Sequence, residues 1–252
     1  MVQWQIMIDP DRYIPTANLL SNRVILVTGA SSGIGRVVAK TFAAHGATVI
    51  LLARSVKKLE TLYDEIEQAG YPTPAIYPFN LATATPNDYQ DLRQNIETHF
   101  GRLDGLLHNA AMLGALTPLE HYALEQWYQV LQVNLNSAFL LTQATLPLLK
   151  LSSDASIVFT SANEGKQGKA YWGAYGVSKF GIEGLMQILA DELETNTTIR
   201  VNSINPVRMR TSLRASAYPA ENTATLPLAE TLLPRYLYLM GPDSQGVQGQ
   251  SL

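Results

Sequence analysis

The chain has 252 residues, 46% of them hydrophobic and 15% charged, a make-up that supports a buried core and excludes a disordered or fibrous polypeptide. With 18 Lys+Arg against 21 Asp+Glu the net charge is -3, short of the basic surplus needed to neutralise a phosphate backbone, so nucleic acid is not an expected partner. There is no cysteine, and His45, His99, His108 and His121 lack ligand spacing, so disulfides, a cysteine nucleophile and a metal site are not expected.

The start, MVQWQIMIDPDR, lacks the basic end, apolar centre and small-residue cleavage site of a secretory signal, and no apolar run approaches membrane-spanning length. The expectation is a cytoplasmic chain with no membrane contact. Residues 1–22 read as an arm, and residues 23–252 as one domain. From Arg23 onward, short aliphatic runs alternate with helical patterns. The runs are 23–28 (RVILVT), 47–53 (ATVILLA), 74–79 (PAIYPF), 103–109 (LDGLLHN), 156–161 (SIVFTS) and 199–205 (IRVNSIN). Near-continuous apolar runs of this length suit strands buried on both faces. The expected fold is α/β: a single-domain, Rossmann-like, doubly wound parallel sheet with helices on both faces. Long helices are expected over 114–149 and 174–194. Residues 207–234 show no strand pattern and form a candidate lid beyond the sixth strand.

Directly after the first run comes TGASSGIGR, with Gly29, Gly33 and Gly35 opening a helical pattern that ends at Gly46. A strand-to-helix turn that approaches a pyrophosphate needs positive φ and no Cβ, and the helix N-terminus offers free N–H groups to the anion. Ser31, Ser32 and Ile34 lie within the same turn. The second run ends in Ala53-Arg54-Ser55, where an NAD site usually carries a carboxylate for the ribose 2′-hydroxyl. Arg54 and Ser55 instead suit a 2′-phosphate, so NADP is the expected cofactor. Further along, Tyr175 and Lys179 lie one helical turn apart. An ammonium beside a phenol stabilises phenolate and lowers its pKa. Each of these motifs taken alone is common.

Their order, TGxxxGxG, then HNAA, then YxxxK, resembles the short-chain dehydrogenase/reductase family over about residues 22–250. The resemblance implies hydride transfer at nicotinamide, with Tyr175 exchanging a proton with the substrate oxygen and Lys179 also binding the nicotinamide ribose. It implies that Asn109 and Ala110 lie against the adenosine side, and that Asn80 and Leu81 hold adenine. Pro206 and Thr211 lie at the carboxamide, and Asn134 supports a proton relay through water. The resemblance also implies a homodimer or homotetramer paired through the long helices, and a small carbonyl or alcohol substrate. Met112, Leu113, Tyr171, Trp172 and Tyr218 suggest that this substrate is partly apolar.

Five departures stand out. The family serine that polarises the substrate oxygen falls on Ala162, one position after Ser161. Either Ser161 reaches in, or Asn163 or another donor substitutes, or the oxygen is held less well. Val207 replaces the usual glycine after Pro206, Asn80 replaces the common Asp, and Ala111 replaces the last glycine of the NNAG pattern. GQSL stands where the family's seventh strand begins, so on this reading that strand is cut short. The alternative to an enzyme is a cofactor-binding sensor or structural protein with little catalysis, an idea motivated by Ala162.

Overall fold

The computed structural model describes residues 8–252; the first seven positions of the expected arm lie outside the described residues. Six strands form one parallel sheet: β1 (Val24–Thr28), β2 (Thr48–Ala53), β3 (Ala75–Pro78), β4 (Gly105–His108), β5 (Ser156–Thr160) and β6 (Arg200–Ile204). Their order is β3-β2-β1-β4-β5-β6, and each lies within one of the six expected runs.

The helices are α1 (Gly33–Ala44), α2 (Val56–Gln68), α3 (Pro86–Phe100), α4 (Leu124–Leu131), α5 (Ser137–Leu149), α6 (Gly173–Glu194), α7 (Ser212–Ala217) and α8 (Leu233–Met240). Successive strand residues point to opposite faces, and this alternation divides the core in two. Ile25, Val27, Val49, Leu51, Val158 and Ile204 pack against α1, α2 and α8. Leu26, Ile50, Leu52, Leu106, Ile157 and Phe159 pack against α3, α5 and α6. Fully burying each such side chain contributes roughly 1.5 to 3 kcal/mol, which is why these strands read as unbroken apolar runs.

The expected helix over 114–149 is corrected. Regular helix begins at Leu124, and a π turn at Gln132–Asn136 separates α4 from α5. Pro118 lies ahead of that start, and a proline disfavours helical geometry in the residue before it. The 207–234 region contains α7 and short 3₁₀ turns rather than a strand. At the sheet edge the C-terminal residues pair with β6: the Ser203 N–H donates to Gln250 O (2.8 Å) and the Leu252 N–H to Ser203 O (3.0 Å). The last residues therefore follow a strand path, with a parallel bridge between Ser203 and Ser251. The described part of the arm docks on α8, where the Tyr13 ring lies 5.3 Å from that of Tyr238 and Leu20 is fully buried.

Charges at the amino ends of the strands neutralise one another. Arg23 donates to Asp154 (2.7 Å), and Arg200 bonds the same carboxylate. Asp104 accepts from the Val24 N–H (2.9 Å) and from the Ser152 hydroxyl (2.6 Å). The carboxyl ends remain for a ligand, and strand order reverses there between β1 and β4, the place where parallel sheets of this kind open a crevice.

Candidate active site

A cavity of about 440 Å³ lies over the carboxyl ends of the strands. Its wall begins at the turn between β1 and α1, with Gly29, Ser31, Ser32, Gly33 and Ile34. Gly29 has φ +68, and a Cβ on it would lie 2.9 Å from Ala110 Cα, so the turn tolerates no side chain there. Gly35 does not line the cavity. A Cβ on Gly35 would lie 2.5 Å from Gly29 O and would also strike Asn109 Nδ2, so this glycine lets α1 pack on the strand ends. Helix α1 begins at Gly33 and the Ser32 side chain makes no capping bond, leaving the free N–H groups and positive dipole end of α1 at the cavity.

Beyond β2 the wall continues through Arg54, Ser55 and Lys58. Arg54 and Lys58 are exposed, and neither forms an ion pair among the described residues. Sequence reading missed Lys58, since a lysine in the first turn of a helix carries no motif. Asn80 and Leu81, after β3, and Asn109 and Ala110, after β4, complete this end. Glu164 is the one carboxylate among the described residues lining the cavity. It follows β5, three strand positions from β2, or roughly 14 Å at ordinary strand spacing.

Tyr175 and Lys179 line the opposite end and are buried. Lys179 Nζ donates to Thr160 O (2.7 Å) and lies 5.6 Å from the centre of the Tyr175 ring. Burial pushes the Lys179 ammonium down from 10.5 to about 8, with Glu183 opposing. The Tyr175 phenol is pushed up, first by burial and then by the Glu164 charge. The expectation that Lys179 lowers the phenol pKa is therefore not met in this arrangement. Both groups are desolvated, and the ammonium is committed to the Thr160 carbonyl.

Asn134 also lies off the main cavity. In the π turn, its Oδ1 accepts from the Met112 N–H (2.7 Å), and its Nδ2 donates to Met112 O (2.9 Å) and to Ser178 Oγ (3.0 Å). It joins the loop after β4 to α6 and borders a second cavity of about 10 Å³, shared with Lys179, Ser137 and Thr160. That volume matches the space of about one water. His108 lines the same space, stacked on Phe159 and pushed down to about 3 by burial.

At the departures, the Ala162 methyl packs with Trp172, Tyr175 and Ala217. Ser161 lines the cavity, but its Oγ is enclosed with no hydrogen-bond partner. Asn163 is turned away, its Oδ1 accepting from Asn205 Nδ2 (2.7 Å). Pro206 and Thr211 line the main cavity, and Thr211 Oγ1 caps α7 by accepting from the Arg214 N–H (3.1 Å). Val207 holds φ +54, a left-handed conformation that costs a β-branched residue roughly 1 to 2 kcal/mol. Of the aromatic and apolar residues considered for substrate, Met112 and Trp172 line the main cavity, whereas Tyr218 lines a neighbouring one. Leu113 packs against the Trp172 cluster. Tyr171 is 59% exposed and lines neither.

Among the described residues no helix is long and apolar enough to cross a membrane, and no group of three or more His, Asp or Glu is gathered as for a metal. Comparison with known proteins places the chain. Over 239 residues it is 47% identical to the Escherichia coli (strain K12) protein named Uncharacterized oxidoreductase YciK, covering 95% of this chain and 94% of that one. A short chain dehydrogenase structure from Pseudomonas syringae matches with a TM-score of 0.94 and 55% identity over 98% of both chains. Another, from Shigella flexneri 2a and complexed with NADP, has a TM-score of 0.91 and 47% identity over 94% of this chain and 98% of that one. With residues 23–222 also matching the family described as short chain dehydrogenase, this chain belongs to the short-chain dehydrogenase family of oxidoreductases.

Proposed function

We propose that this chain is a cytoplasmic, NADP-dependent oxidoreductase that moves a hydride between nicotinamide and a carbonyl or alcohol carbon of a small molecule. The observation that carries this reading is a single cavity that joins a phosphate-cradling turn, a cationic strand end and the Tyr175–Lys179 pair. The residues present fit the dinucleotide. Gly29 leaves room for close backbone approach, and Arg54 and Lys58 favour a 2′-phosphate with Ser55 as an additional donor. The binding of NADP by the Shigella flexneri relative supports the same reading.

When bound, NADP supplies the hydride chemistry. The first turn of α1, with Ser31, Ser32, Gly33 and Ile34, holds the pyrophosphate by its N–H groups. Asn80 and Leu81 border the adenine, and Asn109 and Ala110 the adenosine side. Pro206 and Thr211 lie at the carboxamide. The Tyr175 hydroxyl gives its proton to the substrate oxygen in reduction and takes it back in oxidation. Lys179 holds the ribose hydroxyls and keeps a positive charge on the Tyr175 side of the cavity. Asn134 and the small cavity beside it support proton return through one water. Ser161 supplies the hydroxyl for the substrate oxygen in place of Ala162, once its enclosed Oγ turns toward the cavity.

A screen of carbonyls and alcohols for NADPH absorbance change tests the reading. On any substrate found, Tyr175→Phe keeps the ring but removes the transferable proton, so kcat is expected to fall by roughly 100-fold or more with NADPH affinity little changed. Full turnover by this variant would refute the mechanism. The enclosed Ser161 Oγ and the Ala162 methyl favour a second reading, a cofactor-binding sensor with little turnover; NADPH binding without turnover of any compound in the library is its signature.

Self-association belongs to the same proposal. Phe139 on α5 and Val177, Phe180 and Ile188 on α6 are each 45% or more exposed, an apolar stripe suited to pairing these helices in a homodimer or homotetramer. A monomeric mass by light scattering at micromolar concentration would reject it.

A further inference from the structure

Tyr236, on α8, is fully buried and does not line the main cavity. Its hydroxyl lies 3.0 Å from Thr160 Oγ1, which in turn donates to Asn109 Oδ1 (3.4 Å). Asn109 Nδ2 donates onward to Thr28 O (3.3 Å). The direction of this chain follows from its chemistry. An amide oxygen only accepts, so the Thr160 proton belongs to Asn109, and the proton between the two hydroxyls belongs to Tyr236. Reversing the Asn109 amide would set its oxygen against Thr28 O and leave a buried carbonyl facing another acceptor.

The chain Tyr236→Thr160→Asn109→Thr28 crosses the carboxyl ends of β5, β4 and β1 directly beneath the cavity. Two functional parts rest on it. The Asn109 amide is the surface against which the Gly35 backbone packs, so its orientation sets how the phosphate turn lies on the sheet. The Thr160 carbonyl is the acceptor for Lys179 Nζ. We infer that Tyr236 is a positioning residue: by donating to Thr160 it fixes the Asn109 amide and so holds the cofactor half of the cavity in its binding shape. The inference rests on the cavity being the NADP site proposed above.

NADPH fluorescence titration at 25 °C separates positioning from folding, because loss of folding lowers the number of sites per chain whereas loss of positioning raises Kd. Tyr236→Phe keeps the ring and removes one donor, and Kd for NADPH is expected to rise about 5-fold, the size of one ordinary hydrogen bond. Thr160→Val breaks the same chain from its middle and provides the test if Tyr236→Phe fails to fold; Kd is expected to rise about 10-fold, with Thr160→Ser recovering most of the loss. Combined, Tyr236→Phe and Thr160→Val are expected to cost no more than Thr160→Val alone, since both act through Asn109. A Kd for Tyr236→Phe within twofold of the unaltered protein, or fully multiplicative effects in the double variant, would overturn the inference and leave the NADP reading standing. If the unaltered protein binds no NADPH, both fall.

Discussion

Replacing Lys179 with Met should stabilise the cofactor-free protein while destroying its activity. Lys179 is only 3% exposed, and burial lowers the pKa of its ammonium from 10.5 to about 8. The folded state thus binds this proton more weakly than the unfolded chain does, so the charge destabilises the fold below pH 8, and the penalty fades as pH rises from about 8 toward 10.5. At 1.36 kcal/mol per pH unit, the penalty is about 3 kcal/mol at pH 7 and roughly half that at pH 9.5. Met matches the length of the side chain without the charge, but leaves the Thr160 carbonyl unbonded at a cost of about 1 kcal/mol. The net gain at pH 7 is about 2 kcal/mol, or roughly 4 to 8 °C in Tm for a chain of this size. By pH 9.5 the gain should be close to zero. Thermal unfolding followed by circular dichroism at the two pH values measures both numbers, and turnover at pH 7 should be lost by about 100-fold or more. A Lys179→Met protein less stable than the parent at pH 7, or a gain equal at both pH values, would refute the burial argument. The trade is that of a functional group held in a place the fold by itself disfavours.

Other outcomes follow from the cavity wall. Arg54→Ala and Lys58→Ala should each weaken NADPH binding by about 10-fold while leaving NADH binding nearly unchanged; equal losses for the two cofactors in titration would remove the 2′-phosphate assignment. With Ser161 holding the substrate oxygen, Ala162→Ser adds only a redundant donor beside Tyr175 and should change kcat/KM for a carbonyl substrate by less than about threefold, whereas a gain of about 10-fold or more would show that the oxygen lacks a hydroxyl donor in the unaltered protein. Ser161→Ala identifies that holder: a loss on the order of 100-fold in kcat assigns the role to Ser161, and a negligible change excludes it.

The sheet was legible in the sequence because a strand buried on both faces must be apolar at every position, and the six runs carried that mark locally. The turn at Gly29 and Gly33 was legible for a similar reason, since positive φ and close approach restrict the residue type at the position itself. Arg54, Ser55, Tyr175 and Lys179 could be read from their places relative to strand ends and helical turns. What escaped depends on partners distant in sequence. Lys58 matters only because the first turn of α2 sets it on the wall of a cavity completed by residues far away in sequence, such as Asn80 and Asn109. The break at Gln132–Asn136 preserves helical composition, and only the pairing of Asn134 with Met112 and Ser178 gives it a purpose. Gly35 was recognisable as part of the glycine turn, yet its packing against Asn109 rather than the cavity required both strand ends in place. The pKa of Tyr175 was misjudged from spacing alone, since the Lys179 neighbour one helical turn away is visible in sequence but desolvation of the phenol is not. Tyr236 is separated from Thr160 by 76 residues. Local residue type decided which segments became strands and turns; the assembled fold decided which polar atoms lost water and found each other, because burial is a property of the whole packed chain.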